Sequence, residues 1–276
     1  MAGSVHVPRI IITGASDGIG AEIARQLARK HGQQAQLVLA ARNAANLEAV
    51  ATECRAAQAQ VLTIPTDVGI EAQCRSLIAQ TVDAFGGIDV LINNAGISAH
   101  AMFSDVSAEN LHWYEDLMRV NLWGTVWCTH AALPHLKASR GQIVGVSSLA
   151  GLVGVPGRTA YSASKFAMSG FLEALRAELK PAGVSVTTAY PGVVDTRIRY
   201  HGYNAQGEQA GVSGLKEDHA MPVAECAHLI VQGMQARQRE VVMTGQAKVG
   251  RFLKLIAPGL VENMTLAAVK NESRPH

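Results

Sequence analysis

The sequence predicts an α/β protein in which seven parallel strands form one doubly wound sheet, with helices on both faces. Short runs rich in Val, Ile and Leu alternate along the chain with longer helical patterns, as expected of strands that are buried on both faces. Several helical patterns end in a Gly-containing stop. A chain of 276 residues, 48% hydrophobic and 17% charged, suits a single large core.

The elements follow from the positions of these patterns. The predicted strands are 9–13, 37–41, 60–64, 90–93, 142–147, 184–189 and 240–243. The predicted helices are 19–31, 44–57, 70–85, 108–138, 160–180 and 223–238. In such a sheet the ligand crevice lies at the carboxyl ends of the strands. The stretch from 195 to 221 lacks periodicity and predicts a lid or a substrate loop.

Composition excludes several classes of function. The net charge is only +2 and no run of five Lys or Arg residues occurs, which argues against a nucleic-acid partner. Cys54, Cys74, Cys128 and Cys226 lack metal-like spacing and are expected to be reduced thiols, so no metal site is predicted. Neither a signal peptide nor an apolar run long enough to span a bilayer is apparent. We therefore expect a cytoplasmic protein without a transmembrane span.

A glycine-rich turn follows the first predicted strand. The segment 13–20 reads TGASDGIG and opens a helical pattern. Glycines let the backbone approach a pyrophosphate, which the free N–H groups and the dipole of the following helix attract. Because the turn lies between a strand and a helix, we favour dinucleotide binding over a plain turn.

Tyr161 and Lys165 are spaced i,i+4 and share one face of a predicted helix, so both can reach one small molecule. Free tyrosine titrates near pKa ~10, and an adjacent lysine cation favours the phenolate. Taken alone, the pair is more often an ordinary half-exposed one. The neighbouring motifs favour an acid/base pair.

The glycine spacing and the motifs after later strands resemble those of the short-chain dehydrogenase/reductase family over about residues 8–245. The matching motifs are Asp67-Val68, Asn93-Asn94-Ala95-Gly96, Asn121, Ser148 thirteen residues before Tyr161, Lys165 and Pro191-Gly192. The NADP(H)-preferring branch, which includes 11β-hydroxysteroid dehydrogenases and related dehydrogenase/reductases, is the most similar. The resemblance implies one Rossmann-fold oxidoreductase domain over residues 1–276, interconverting a carbonyl and a secondary alcohol.

The resemblance also implies catalytic roles. Tyr161 is the proton donor in carbonyl reduction, and Ser148 donates a hydrogen bond to the substrate oxygen. Lys165 holds the nicotinamide ribose and favours the phenolate, while Asn121 holds a water beside the lysine. Ser147 is the competing serine, and the spacing to Tyr161 selects Ser148 by resemblance.

The implied cofactor site draws on the segments after five of the predicted strands and on Tyr161 and Lys165. Its residues are Gly14, Ser16, Asp17, Gly18, Ile19, Gly20, Arg42, Asp67, Val68, Asn94, Ala95, Gly96, Tyr161, Lys165, Pro191, Gly192, Val194 and Thr196. The second strand ends without a carboxylate, and Arg42 there suits a 2′-phosphate, so NADP(H) is favoured over NAD(H). Asp17 departs from the pattern of many NADP-preferring relatives, which have a basic residue just before the second glycine of the loop. Its carboxylate could repel that phosphate.

The resemblance implies that three segments, 97–102, 149–158 and 193–221, shape the pocket. Their mostly apolar residues favour a lipophilic ketone or alcohol. An apolar extension, 246–276, carries Lys248, Arg251 and Lys254 and a helix break at Pro258. It could pack on a sister subunit, act as a lid or make weak interfacial membrane contact. The resemblance implies a homodimer or homotetramer, paired through helices 108–138 and 160–180.

Two rival functions stay open at this point. One is a non-catalytic regulator that senses NADP(H), although such proteins usually lack the tyrosine or the lysine. The other is a nucleotide-sugar epimerase or dehydratase, which shares the Tyr-x-x-x-Lys motif but is generally longer.

Overall fold

A computed structural model of the protein describes residues 8–211 and 220–272. Seven parallel strands form one sheet in the order β3-β2-β1-β4-β5-β6-β7. The strands are β1 (Arg9–Thr13), β2 (Gln36–Ala41), β3 (Gln60–Pro65), β4 (Val90–Asn93), β5 (Gln142–Val146), β6 (Ser185–Tyr190) and β7 (Glu240–Val242). The predicted fold is thus confirmed, and every strand end lies within one residue of its predicted position.

Helices connect consecutive strands and cover both faces of the sheet. They are α1 (Gly18–His31), α2 (Ala44–Ala56), α3 (Glu71–Phe85), α4 (His112–Met118), α5 (Gly124–Ser139), α6 (Thr159–Leu179), α7 (Val223–Gln235), α8 (Gly245–Ile256) and α9 (Pro258–Glu272). The break between α8 and α9 falls at Ala257, because Pro258 is favoured as the first residue of a new helix. None of the helices in 8–211 and 220–272 is long and apolar enough to cross a bilayer.

The hydrophobic core consists of one layer on each face of the sheet. Along β1, Ile10 and Ile12 face the layer that includes α1 and α7, whereas Ile11 faces the layer that includes α3 and α6. All three side chains are buried, and full burial of one isoleucine contributes about 1.5–3 kcal/mol. Strands with two buried faces require the continuous apolar runs seen in the sequence.

The single helix predicted over 108–138 is wrong, because the structure divides this segment into several pieces. A 3₁₀ turn, Ala108–Leu111, precedes α4, and a π-helical turn, Arg119–Trp123, joins α4 to α5. In this turn the Gly124 N–H bonds to the Arg119 oxygen, five residues back. A π-helical turn contains one residue more than an α-helical turn. Asn121 lies in this turn and is fully buried. Such turns are often found at functional sites.

The strand order places a crevice at one defined position. β1 lies between β2 and β4, so the chain leaves the sheet in opposite directions on either side of β1. Ligands bind at such a switch point, outside the carboxyl ends of the strands. The segments that follow β1 and β4 therefore meet at the site described next.

Candidate active site

The glycine loop between β1 and α1 is closely packed. The N-cap of α1 is Asp17, whose carboxylate accepts a 2.8 Å hydrogen bond from the backbone N–H of Gly18. Gly14 has φ +66°, and a Cβ there would stand 2.8 Å from Ala95 Cα. At Gly20 a Cβ would stand 2.4 Å from the Gly14 oxygen. The loop has the bare backbone and the helix N-terminus that a pyrophosphate requires.

Thr13, at the end of β1, fixes the segment that follows β4. Its hydroxyl accepts hydrogen bonds from the backbone N–H groups of Asn94 (3.0 Å) and Ala95 (3.1 Å) and donates to the Ile92 oxygen. The Asn94 amide donates in return to the oxygens of Thr13 and Gly14, at 2.9 and 3.2 Å. The sequence analysis did not assign Thr13 to the site, although a threonine just before the glycine loop was a usable signal.

Arg42 and Asp17 are the two charged residues whose positions matter for the choice between NADP(H) and NAD(H). Arg42 is exposed at the end of β2 and forms no ion pair within the described part of the chain. The second Asp17 oxygen pairs at 2.9 Å with the Nε of Arg197, which lies across the crevice after β6. Ser16 and Ile19 are half-buried, and Ile19 packs on the core. The Asp17 charge is therefore balanced by a cation.

Asp67 and Val68 follow β3, at the same edge of the sheet. The Asp67 carboxylate accepts a 2.8 Å hydrogen bond from the Gly69 N–H. The backbone N–H of Asp67 donates to the side-chain oxygen of Gln73. Val68 is buried against Gly124, where a Cβ would stand 2.9 Å from the valine side chain. Both residues therefore have fixed positions.

The segment after β6 closes the other side of the crevice. Pro191 accepts a 2.9 Å hydrogen bond from the backbone N–H of Leu149, whose side chain also approaches Gly192. The Thr196 methyl lies 3.3 Å from where a Cβ of Gly18 would stand. Thr196 is thus brought to the glycine loop, as a phosphate contact requires.

Tyr161 and Lys165 lie near the start of α6 and are 7% and 3% exposed. The Lys165 Nζ is 5.8 Å from the centre of the Tyr161 ring and donates to the Val146 oxygen at 3.0 Å. Burial lowers the pKa of Lys165, and the neighbouring Tyr161 opposes that shift. The pair combines a phenol with a cation in a site that largely excludes water.

The two adjacent serines after β5 have different partners. The Ser147 hydroxyl bonds to the Lys165 oxygen (3.2 Å) and to Ser169 Oγ (3.0 Å), so it fastens β5 to α6. Ser148 Oγ instead accepts a 3.2 Å bond from the Ala150 N–H. An accepted hydrogen bond leaves the Ser148 O–H able to donate to a ligand.

Asn121 connects three parts of the site from its position in the π-helical turn. Its Oδ1 accepts from the Ile97 N–H at 2.9 Å, while its Nδ2 donates to the Ile97 oxygen and to Ser164 Oγ. A Cβ on Gly96 would stand 3.0 Å from Asn121 Oδ1 and 3.4 Å from Lys165 Nζ. Asn121, Gly96 and Lys165 therefore surround one small volume.

Arg158 is a second site residue, after Thr13, that was not predicted from the sequence. It is half-buried at the N-cap of α6, with its guanidinium carbon 4.6 Å from the centre of the Tyr161 ring. Its Nη2 donates to Ser98 Oγ at 2.6 Å, and its Nε is buried with no hydrogen-bond partner among the residues that the structure describes. Burial lowers the pKa of Arg158, and the like charge of Arg199 lowers it further. A charged residue three positions before the tyrosine was the available signal.

The loop after β6 pairs with the segment after β4 on the same side of the crevice. Tyr203 donates its backbone N–H to the Ser98 oxygen, and His100 donates to the Tyr203 oxygen. Arg199 is buried in the turn that precedes this pairing, and its Nη2 donates to the Val194 oxygen at 3.1 Å. Residues 212–219 of the predicted loop lie outside the described residues.

The fold and this crevice together define a nucleotide-binding α/β protein of the Rossmann type. The family model described as "short chain dehydrogenase" matches residues 8–206. The chain therefore belongs to the short-chain dehydrogenase/reductase family, whose members are oxidoreductases that bind NAD(H) or NADP(H).

Two curated relatives match most of the chain. The "11-beta-hydroxysteroid dehydrogenase-like 4A" of Arabidopsis thaliana is 36% identical over 258 residues, 91% of this chain and 81% of the relative. "Dehydrogenase/reductase SDR family member 7B" of Mus musculus is 30% identical over 271 residues, 96% and 82% of the two chains. The resemblance seen in the sequence is confirmed.

Two solved structures share the fold. A short-chain dehydrogenase/reductase of Burkholderia phymatum in complex with NAD has a TM-score of 0.79 at 25% identity, covering 92% of this chain and 95% of that one. An alcohol dehydrogenase of Thermococcus sibiricus complexed with 5-hydroxy-NADP has a TM-score of 0.72 at 26% identity, covering 86% and 95%. Both kinds of dinucleotide are therefore found among similar structures.

Proposed function

We propose that this protein is an NADP(H)-dependent oxidoreductase that interconverts a carbonyl and a secondary alcohol on a lipophilic small molecule, with Tyr161 as the acid/base. The observation that carries the proposal is the buried pair of Tyr161 and Lys165 on α6, with the lysine 5.8 Å from the tyrosine ring. Asn121 and Gly96 border the same volume.

The chain's own groups supply the proton and stabilise the developing charge. In reduction Tyr161 gives the proton of its hydroxyl to the carbonyl oxygen, and in oxidation the phenolate takes the alcohol proton. Ser148 donates a hydrogen bond to that oxygen as negative charge develops on it. The Lys165 cation favours the phenolate and also suits the ribose hydroxyls of a nicotinamide cofactor. When bound, that cofactor supplies or accepts the hydride.

Arg42 and Asp17 support NADP(H) as that cofactor. Arg42 is exposed at the end of β2, where no carboxylate competes for the ribose hydroxyls, and its fork suits a phosphate. Asp17 is engaged by Gly18 and by Arg197, so its negative charge is offset within the chain. Repulsion of a 2′-phosphate by the Asp17 carboxylate is therefore reduced.

Apolar walls support a lipophilic substrate. A buried cluster beside Tyr161 contains Ala99, Ala101 and Ala150, with Ile97 and Val155 packed against it. An apolar pocket with a few polar groups suits a substrate with an apolar body. The names of the hydroxysteroid dehydrogenase relatives point in the same direction.

A homodimer or homotetramer is part of the proposal. A groove on the outer face of α4 to α6 includes Met118, Trp123, Trp127 and Ala163, and Trp123 is 48% exposed. Large exposed apolar side chains also line α8 and α9: Val249, Phe252, Leu255, Ile256, Leu260, Met264 and Leu266. A sister subunit is the proposed cover for both surfaces, and weak membrane contact is the rival for the second. Sedimentation with and without lipid vesicles distinguishes the two covers.

Turnover on a panel of apolar ketones tests the proposed reaction. Wild-type protein should oxidise NADPH with these ketones, and Tyr161→Phe should lose about 10²-fold or more of that rate while still binding the cofactor. A cofactor-sensing regulator would bind the cofactor without turnover, and an epimerase would leave the net cofactor balance unchanged. Full activity in Tyr161→Phe would overturn the assignment.

Titration of NADPH and NADH tests the cofactor choice separately. Arg42→Ala should weaken NADPH binding by about tenfold and leave NADH binding nearly unchanged, because only NADPH carries the 2′-phosphate. Arg75→Ala, an exposed arginine on α3, is the matched control. A preference for NADH in the wild type that Arg42→Ala does not alter would refute the NADP(H) assignment.

A further inference from the structure

Arg158 is a half-buried cation whose hydrogen-bonding capacity is only partly used among the described residues. Its guanidinium has five N–H donors. One nitrogen donates to Ser98, and the Nε is buried with no hydrogen-bond partner in the described part of the chain. Among residues 8–211 and 220–272, no carboxylate lies within 4.0 Å of it. Unpaired buried charges are costly, so such a residue requires an explanation.

Other partly buried arginines of the chain do have partners. Arg9 pairs with Asp89 through two nitrogens, at 2.8 and 2.9 Å. Arg176 donates to the oxygens of Val186 and Arg239 and to a threonine hydroxyl. Arg158 differs from both, because the only hydrogen bond of its guanidinium among the described residues is the one to Ser98 Oγ.

The position of Arg158 relates this unused capacity to the reaction. The guanidinium lies over the face of Tyr161, the ring that carries the proposed acid/base hydroxyl, and Ser98 fixes its orientation. Ser98 is itself fixed by Tyr203, whose backbone N–H donates to the backbone carbonyl of Ser98. An acceptor bound by Arg158 would therefore lie near the Tyr161 ring.

We propose that Arg158 is a specificity-determining residue that binds a carboxylate on the substrate, so that the protein acts on oxo acids or hydroxy acids with an apolar body. The inference rests on the proposed function and narrows its substrate class. A carboxylate is the planar acceptor that one guanidinium matches through two parallel hydrogen bonds. The apolar cluster around Ala99 and Val155 accommodates the rest of the molecule.

Binding of a non-reactive acid and its amide tests the inference without turnover. Calorimetric titration of phenylbutyrate and phenylbutyramide into protein saturated with NADP⁺, and separately with NAD⁺, compares two ligands of one shape. Wild-type protein should bind the acid about tenfold or more tightly than the amide, since a charge-assisted hydrogen bond replaces a neutral one. The ratio should fall to about one in Arg158→Gln and take an intermediate value in Arg158→Lys.

Arg239→Gln is the matched control, because Arg239 is exposed just before β7, at the amino end of that strand and away from the crevice. It should leave the acid-to-amide ratio unchanged. Equal binding of acid and amide by wild-type protein, or a ratio that survives Arg158→Gln, would overturn the inference and leave Arg158 as a cation that only supports the tyrosine ring.

Kinetics separates this inference from the proposed function. Arg158→Gln should lower kcat/KM for an aryl oxo acid by about tenfold or more, and change that for its methyl ester much less. Turnover of neutral ketones without any preference for acids sinks the inference alone. Arginine-dependent binding of the acid without turnover of any carbonyl supports the carboxylate site and sinks the proposed reaction.

Discussion

The ammonium nitrogen of Lys165 lies 3.0 Å from the backbone oxygen of Val146, in a position where 3% of the residue is exposed. The sulfur of Met168, at 4.0 Å, is a weak additional acceptor. One carbonyl does not replace the hydration of an ammonium ion, so burial lowers the pKa of Lys165. We therefore expect the proposed catalytic cation to destabilise the cofactor-free fold.

Replacing this cation should stabilise the protein while abolishing its activity. We expect Lys165→Met to raise the free energy of unfolding of the cofactor-free protein by about 1–3 kcal/mol, because a buried charge is replaced by an apolar chain of similar length. Urea denaturation at pH 7 measures the difference. Lys180→Met, at an exposed position, should change the free energy by no more than about 0.5 kcal/mol. A less stable Lys165→Met would contradict the expectation.

The same shift predicts how that difference depends on pH. Because the pKa of Lys165 is lower in the folded than in the unfolded chain, the unfolded state binds more protons between the two values. The wild type therefore gains stability as pH rises through that window towards the ordinary lysine value of 10.5. The advantage of Lys165→Met should shrink as the pH rises towards 10.5. An advantage that stays constant would refute the linkage.

The close packing of the glycine loop predicts the effect of adding a side chain there. A Cβ at Gly20 would stand 2.4 Å from both the Gly14 oxygen and the Asn94 amide nitrogen, so backbone must move. Gly20→Ala should lower the free energy of unfolding by about 1–3 kcal/mol and weaken cofactor binding. Gly250→Ala is the control, because a Cβ there meets nothing within 4 Å inside a helix. Denaturation and cofactor titration of both variants measure the contrast, and equal behaviour would contradict it.

Asp17 serves as a helix cap, and its substitutions should behave accordingly. Asp17→Ala should cost about 1 kcal/mol of stability, whereas Asp17→Asn should cost much less, because asparagine also caps well. The ion pair with Arg197 adds little, since the two side chains are 47% and 63% exposed. Neither variant should change the NADPH-to-NADH preference by more than about threefold, because that charge is already offset. A large gain for NADPH in Asp17→Asn would show that the carboxylate opposes the 2′-phosphate.

Local patterns in the sequence were sufficient for the strands but not for every part of the crevice. Buried parallel strands leave continuous apolar runs, so Ile10, Ile11 and Ile12 predicted β1 directly. The π-helical turn could not be predicted, because helical periodicity does not record which carbonyl each N–H bonds. Arg158 was missed for a related reason. A charged residue in a loop is expected to be solvated, and its burial depends on Ser98, sixty residues away in the sequence.

Lys254 links helix α8, in the carboxyl-terminal extension, to the segment that follows β5. Its Nζ donates to the Leu152 oxygen at 3.0 Å and lies 4.7 Å from the centre of the Phe166 ring. Lys254→Met should loosen α8 and increase its amide hydrogen exchange, and it should change KM more than the free energy of unfolding. Lys248→Met on the same helix is the control. Unchanged exchange in Lys254→Met would show that other contacts hold the helix.

Asn121 joins the segment after β4 to α6, so its loss should affect both stability and turnover. Its amide bonds to both backbone groups of Ile97 and to Ser164 Oγ, which in turn donates to the backbone carbonyl of Tyr161 at 2.8 Å. Asn121→Leu keeps the side-chain volume but leaves the Ile97 groups unpaired, so we expect a loss of about 2–4 kcal/mol. Ser164→Ala removes fewer bonds and should cost about 1 kcal/mol. The double variant should show a coupling of at least about 0.5 kcal/mol, because the two side chains share a hydrogen bond. Denaturation of the four proteins measures this coupling, and strictly additive losses would show that Asn121 acts on Ile97 alone.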